Sequence, residues 1–198
     1  MILPTFPAFA YQETPTLAKL QSLAGAVSFA TQVPIVASLK MSATQAVTAS
    51  TATAVGWTVE ECDSDNMHST TVNPSRLTAQ TQGYYRMHAA IALSIPSATE
   101  YEAYFQQTTG SSNPAGSGHT VKFGADASVS GSTTSDYMAL SIRSLTPCLY
   151  AGDYVEAYVF VGAACTIQYS FGATGNLDKA GFGDGDSCMY AYYAFEGP

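Results

Sequence analysis

Two runs of this sequence are apolar on both faces of an extended strand, and they constrain the fold more than any other feature. In Tyr154–Val161, Val155, Ala157, Val159 and Val161 fall on one face. Tyr154, Tyr158 and Phe160 fall on the other, interrupted only by Glu156. In Cys188–Phe195, Tyr190 and Tyr192 oppose Met189, Tyr193 and Phe195. Successive side chains point to opposite sides of a strand, so such segments must be covered twice. One face can meet the core of a sandwich; the other invites a subunit interface.

The same period of two runs through much of the chain beyond Ile35. Tyr85, Met87, Ala89, Ile91, Leu93 and Ile95 share one face of a strand, and Tyr84, Arg86, His88 and Ala90 the other. Met138, Leu140 and Ile142 alternate with Tyr137, Ala139, Ser141 and Arg143. Between the apolar runs lie turn-rich stretches at 108–118, 129–136 and 172–186, the last reading GATGNLDKAGFGDGD. The 22 Thr, 13 Tyr and 9 Phe suit pleated, half-buried surfaces, and the 21 Ser and 16 Gly suit turns. Several short strands punctuated in this way predict an all-β sandwich or jelly roll. No internal repeat is visible.

Residues 1–34 have a different character. Pro4 and Pro7 among Phe6, Phe9 and Tyr11 predict an extended apolar arm. Thr14-Pro15 then supplies a helix cap with proline at the first helical position. Leu17, Leu20, Ala24 and Val27 follow with 3-4-3 spacing, and Leu20, Leu23, Val27 and Ala30 repeat it. A helix over 15–31 would be roughly 25 Å long. Its stripe of Leu17, Leu20, Leu23 and Val27 must bury either on the domain's own surface or against another chain. The division expected is an arm and helix over 1–34, acting as an anchor, and a β head over 35–198.

Composition excludes several functions. Seven Lys+Arg against fifteen Asp+Glu give a net charge of −8, the wrong sign for a protein that neutralises phosphates. The longest apolar run, 154–165, contains Glu156 and is too short to cross a bilayer, so no membrane insertion is expected. Met1-Ile2-Leu3-Pro4 lacks a basic leader, so no secretory signal is expected either. Cys62, Cys148, Cys165 and Cys188 contain no C-x-x-C pair and read as reduced, mostly buried thiols.

Enzyme signatures are missing: there is no G-x-S-x-G, P-loop, dinucleotide fingerprint or H-E-x-x-H. Glu60 and Glu61 are adjacent, and strand neighbours point apart, so they form no acid–base pair. A hydrolase is therefore disfavoured, and no catalytic residue is assigned. His88 reads as a structural histidine, His68 as part of the Asp63–His68 loop, and His119 as a solvated loop residue. Two acidic loops, Asp63/Asp65/Asn66 and Asp178/Asp184/Asp186, have oxygen ligands of the kind Ca²⁺ prefers. Neither has EF-hand spacing, and capping of turn amides explains them as well; no metal or cofactor is assigned. Tyr101, Tyr104 and Phe182 are candidate platforms for stacking on a sugar, or equally core residues, which leaves a glycan-binding, lectin-like module as an alternative.

Several segments together resemble a known family. They are Trp57-Thr58-Val59, Cys62 to Ser69 (CDSDNMHS), Asn73-Pro74-Ser75-Arg76-Leu77-Thr78, Gly83-Tyr84-Tyr85-Arg86, Ala151-Gly152-Asp153-Tyr154-Val155-Glu156 and the terminal Phe195-Glu196-Gly197. Their order resembles the globular head of complement component one, subcomponent q, in the form found in tailed-bacteriophage virion proteins. Where the family has G-x-Y-x-F, this chain reads Gly83-x-Tyr85-x-Met87, a change an adaptable core methionine tolerates. The resemblance implies a ten-stranded jelly roll shared with the tumour necrosis factor family, and a homotrimer. It implies that strands near 84–94, 137–143 and 188–195 share the sheet facing the trimer axis, with Tyr84, His88, Tyr137, Tyr190 and Tyr192 at the subunit interface; the alternative is that these rings pack under loops. The start of the chain resembles phage minor tail proteins. The functional expectation is a virion protein assembled in a bacterial cytoplasm. It would sit at the tail tip or fibre and contact other virion proteins and a host surface protein or glycan; decoration of a capsid's three-fold sites is the alternative.

Overall fold

The computed structural model describes residues 18–21, 35–95, 100–129, 136–169 and 187–195. The chain divides into two compact units, Met1–Pro34 and Ile35–Pro198. In the first, residues 18–21 are helical and Leu20 is exposed. Leu17, Leu23 and Val27 lie outside the described residues.

The second unit is built of antiparallel strands: β1 Ile35–Lys40, β2 Gln45–Val47, β3 Thr53–Ala54, β4 Val59–Asp63, β5 Arg76–Thr78, β6 Tyr84–Ile95, β7 Glu100–Thr108, β8 Thr120–Val129, β9 Asp136–Leu145, β10 Tyr154–Val161, β11 Cys165–Gln168 and β12 Cys188–Phe195. They form two sheets. In the seven-stranded sheet β6 is the axis, with β9 along one edge from Arg86↔Leu145 to Ile95↔Asp136. Its other edge is shared: β12 takes the first half and β11 takes Ala92–Ser94. β1 and then β4 follow beyond β12, and β2 lies beyond β11. In the five-stranded sheet β10 pairs with β7 along its whole length, β8 lies beyond β7, and β5 and β3 share the other edge of β10.

This is the expected jelly-roll sandwich. The described residues form twelve strands rather than ten because short segments pair successively along the edges of the long strands β6 and β10. Strands β6, β9 and β12 do share one sheet, as the resemblance implies.

The core lies between the sheets. Val155, Ala157, Val159 and Val161 of β10 are fully buried, and Tyr85, Met87, Ala89, Ile91 and Leu93 of β6 face them with Met189, Ala191 and Tyr193 of β12. Trp57 and Leu149 are also fully buried. Full burial of such side chains contributes roughly 1.5–3 kcal/mol each. The Tyr85 and Tyr193 rings meet edge to face at 5.3 Å. Their hydroxyls donate to the carbonyls of Thr81 and Gln82 respectively, so two large aromatics enter the core without stranding a polar tip. On one side the sheets close tightly: Gly124 of β8 has φ +57, and a Cβ there would lie 2.6 Å from Cβ of Ser144 on β9. Only glycine fits that approach.

Between β7 and β8, residues 109–119 form a loop fixed from below by one side chain. Asp153 is fully buried. Its Oδ1 accepts from the Gly110 amide at 2.7 Å, and its Oδ2 accepts from Gln107 Nε2, Asn113 Nδ2 and the Tyr150 amide at 2.9, 2.7 and 3.0 Å. Four donors leave the carboxylate saturated. Its place in the Ala151-Gly152-Asp153 turn thus has a physical reason.

Candidate functional site on the outer face of the seven-stranded sheet

One face of the seven-stranded sheet is core. The opposite face carries the residues that alternate with it. His88 of β6 lies across from Tyr190 of β12 on one side and Arg143 of β9 on the other; Arg86 lies between Tyr192 and Leu145. Tyr190 in turn faces Ser38 of β1. Tyr84, His88, Tyr190 and Tyr192, all expected at an interface, are therefore brought together on one surface, each half-buried. The backbone of Tyr137 pairs with Ser94 in the same sheet; its side chain lies outside what is described.

The rings are ordered. His88 and Tyr190 stack with centroids 6.1 Å apart and planes inclined by 13°, and Tyr192 continues the row 6.5 Å from Tyr190. Burial, helped by the charge of Arg143, lowers the pKa of His88 to about 4, so at neutral pH the ring is uncharged. Burial pushes the Tyr190 hydroxyl up to about 12, with a further contribution from Cys188. The middle of this face is thus neutral and aromatic, and its charges sit at the sides.

On the β1–β4 side, Glu61 accepts from Ser38 Oγ at 2.9 Å through Oε2 and pairs with Lys40 Nζ at 2.8 Å through Oε1. Lys40 first and Ser38 second hold the Glu61 carboxyl below its ordinary range. On the β6–β9 side stand Arg86 and Arg143, both exposed. Sequence reasoning assigned no role to Glu61 or Arg143, because their shared surface depends on the succession of pairings from β4 through β1, β12 and β6 to β9.

The other candidate residues resolve differently. Tyr101 is fully buried and Tyr104 nearly so; both lie in β7, not in loops. As sugar platforms they are corrected: Tyr101 belongs to the core, and Tyr104 stacks on Tyr158 at 5.5 Å with Lys122 Nζ 4.0 Å over its ring. Phe182 lies outside the described residues. On the second apolar face of β10, Tyr158 is stacked on Tyr104 and Arg76 lies 4.1 Å over the Tyr154 ring. Glu156 sits beneath, accepting from Ser75 Oγ at 2.5 Å and Tyr158 Oη at 3.1 Å, with Arg76 Nε 3.5 Å away.

Glu60 and Glu61 are each engaged separately. Glu60 Oε1 lies 2.8 Å from Nδ1 of His68, whose side chain is fully buried and whose Nε2 lies 3.0 Å from the Pro74 carbonyl oxygen. Asp63 accepts from the amides of Met67 and His68, a turn-capping role. Among the described residues no group of three His, Cys, Asp or Glu is placed to hold a metal; Asp178, Asp184 and Asp186 lie outside them. His119 lies in the exposed loop, its amide donating to Thr109 Oγ1. None of the four cysteines forms a disulfide. Cys165 and Cys188 are buried, and burial raises the Cys165 thiol to about 11; Cys148 is half-buried and Cys62 is exposed. No helix among the described residues is long and apolar enough to cross a membrane.

No protein-family model matches the chain, and no curated protein sequence matches it. Solved structures do. The globular domain of zebrafish complement 1qA aligns with a TM-score of 0.50 and 10% identity, over 81% of this chain and 97% of that one. Murine APRIL aligns with a TM-score of 0.53 and 9% identity, over 80% and 98%. The Eiger TNF of S. frugiperda aligns with a TM-score of 0.53 and 14% identity, over 82% and 93%. At these identities the likeness is one of fold: the described residues from Ile35 onward form a jelly roll of the kind seen in complement 1q heads and tumour necrosis factor ligands.

Proposed function

We propose that this chain is a non-enzymatic structural protein of a tailed-phage virion, whose jelly-roll head assembles as a homotrimer through the outer face of the seven-stranded sheet. The observation that carries the reading is the half-buried row Tyr84, His88, Tyr190 and Tyr192, on the side of the sheet facing away from its own core. Aromatic rings with a polar tip suit a surface that is covered on assembly. The resemblance to phage heads supplies the virion context, and the −8 charge and absence of catalytic signatures agree with it. Residues 1–34 anchor the head to the particle at the tail tip or fibre, and three copies present the exposed loops together, so that weak contacts with a host surface add up.

Native mass by light scattering tests the assembly: a species near three times 20.8 kDa, stable on dilution, is expected, and a monodisperse monomer refutes it. A chain lacking residues 1–34 should remain trimeric and no longer enter particles. Immunogold labelling of intact virions then separates a tail position from three-fold sites on the capsid.

A further inference from the structure

The outer face of the seven-stranded sheet has a polarity of charge as well as an aromatic middle. Across β1, β12, β6 and β9 the residues Ser38, Tyr190, His88 and Arg143 pair in register; on β4 Ser38 pairs with Cys62, and Glu61, set beside it by a register shift, closes the row through its hydrogen bond from Ser38 Oγ. Four inter-strand gaps make this row about 19 Å long. Its acidic end is Glu61, whose side chain is 42% exposed although Lys40 and Ser38 touch it. Its basic end is Arg143, with Arg86 beside it on β6.

We propose that neighbouring copies of this chain meet with the Arg143 end of one row against the Glu61 end of the next, an ion pair repeated at every subunit contact. The proposal rests on the assembly reading above and specifies its register. A ring closed by rotation joins two different patches of each subunit, and a face with opposite charges at its ends supplies such patches. The chemistry fits. A carboxylate has about four acceptor sites, and Lys40 and Ser38 use one on each oxygen, so both Glu61 oxygens can still accept a guanidinium. Lys40 orients the acid, and the half-buried His88–Tyr190 stack fills the row between its two charged ends. The neutral state of the central histidine leaves the basic end confined to the arginines.

Charge reversal in the full-length chain tests this, read as native mass against dilution. Arg143→Glu and Glu61→Arg are each expected to raise the concentration at which trimers dissociate by roughly tenfold or more. The double reversal should restore it. The neutral variants Arg143→Gln and Glu61→Gln guard against a reversal that fails to fold; each should weaken assembly and flatten its salt dependence. A wild-type trimer that single reversals or neutral variants leave intact, or that the double reversal does not restore, overturns this contact while the trimer stands. A wild type that is monomeric or dimeric overturns the trimer itself and this contact with it.

Discussion

Replacing Asp153 by alanine strands four hydrogen-bond donors at once. The amides of Gly110 and Tyr150 are fixed by the backbone and cannot turn elsewhere, and each buried donor left unpaired costs about 1–3 kcal/mol. Gln107 is buried and its Nε2 loses the same partner, while the half-exposed Asn113 can rotate toward water. Against these losses, the desolvation of a fully buried carboxylate is relieved. The balance predicts a destabilisation of about 3–4 kcal/mol, a large part of the roughly 5–15 kcal/mol a domain has. Asp153→Asn should fall between, because the amide keeps one acceptor oxygen and turns a donor toward a donor. Urea unfolding at fixed protein concentration is the assay, with the midpoint shifting at constant slope and hydrogen exchange rising at the Gly110 amide. A loss below about 1 kcal/mol would show that the loop does not depend on this carboxylate.

Two further outcomes follow from the same geometry. His88 titrates near 4 in the folded protein against 6.5 ordinarily, so the unfolded chain binds the proton first on acidification. Stability is therefore full above about pH 6.5 and declines as pH falls toward about 4; thermal melts across this range should show it, and His88→Gln should flatten that part of the curve. An unchanged slope in the variant refutes the assignment. Gly110→Ala places a Cβ 2.5 Å from the Gly152 carbonyl carbon, a backbone atom, and should cost about 2 kcal/mol or more. Gly56→Ala, whose Cβ meets only Gln45 Oε1 at 3.6 Å, should stay within about 0.5 kcal/mol in the same melts; equal losses in the two variants would refute the steric argument.

What could be read from the chain was what burial writes into period two. Strands β10 and β12 begin and end where their two-faced apolar runs do, and β6 follows the alternation from Tyr84 to Ile95. Strand β7 was harder, because Gln107 occupies a buried position and a register shift at Ala103/Phe105 breaks the pattern. Tyr101 and Tyr104 therefore read equally as sugar platforms or as core residues. Strands β2, β3 and β5 are two or three residues long and exist only because a long neighbour offers an edge. At the candidate site the aromatic members were legible, being unexpected opposite a core face. Glu61 and Arg143 were not, since an ordinary surface charge acquires a partner only through tertiary pairing. The role of Asp153 likewise depends on donors 40 to 46 residues away in sequence.

The place of β12 has a consequence for how the domain is made. It lies between β1 and β6, so of the described strands the one synthesised latest fills the middle of the sheet. Until then β1 has only β4 beside it, and the core face of β6 lacks Met189, Ala191 and Tyr193. A nascent chain halted before Cys188 cannot close the sandwich, and completion requires ends more than 140 residues apart to meet. Such non-local pairing folds slowly, with apolar strands uncovered meanwhile. Synthesis, rather than the finished structure, is then the stage at which this protein is most exposed to aggregation.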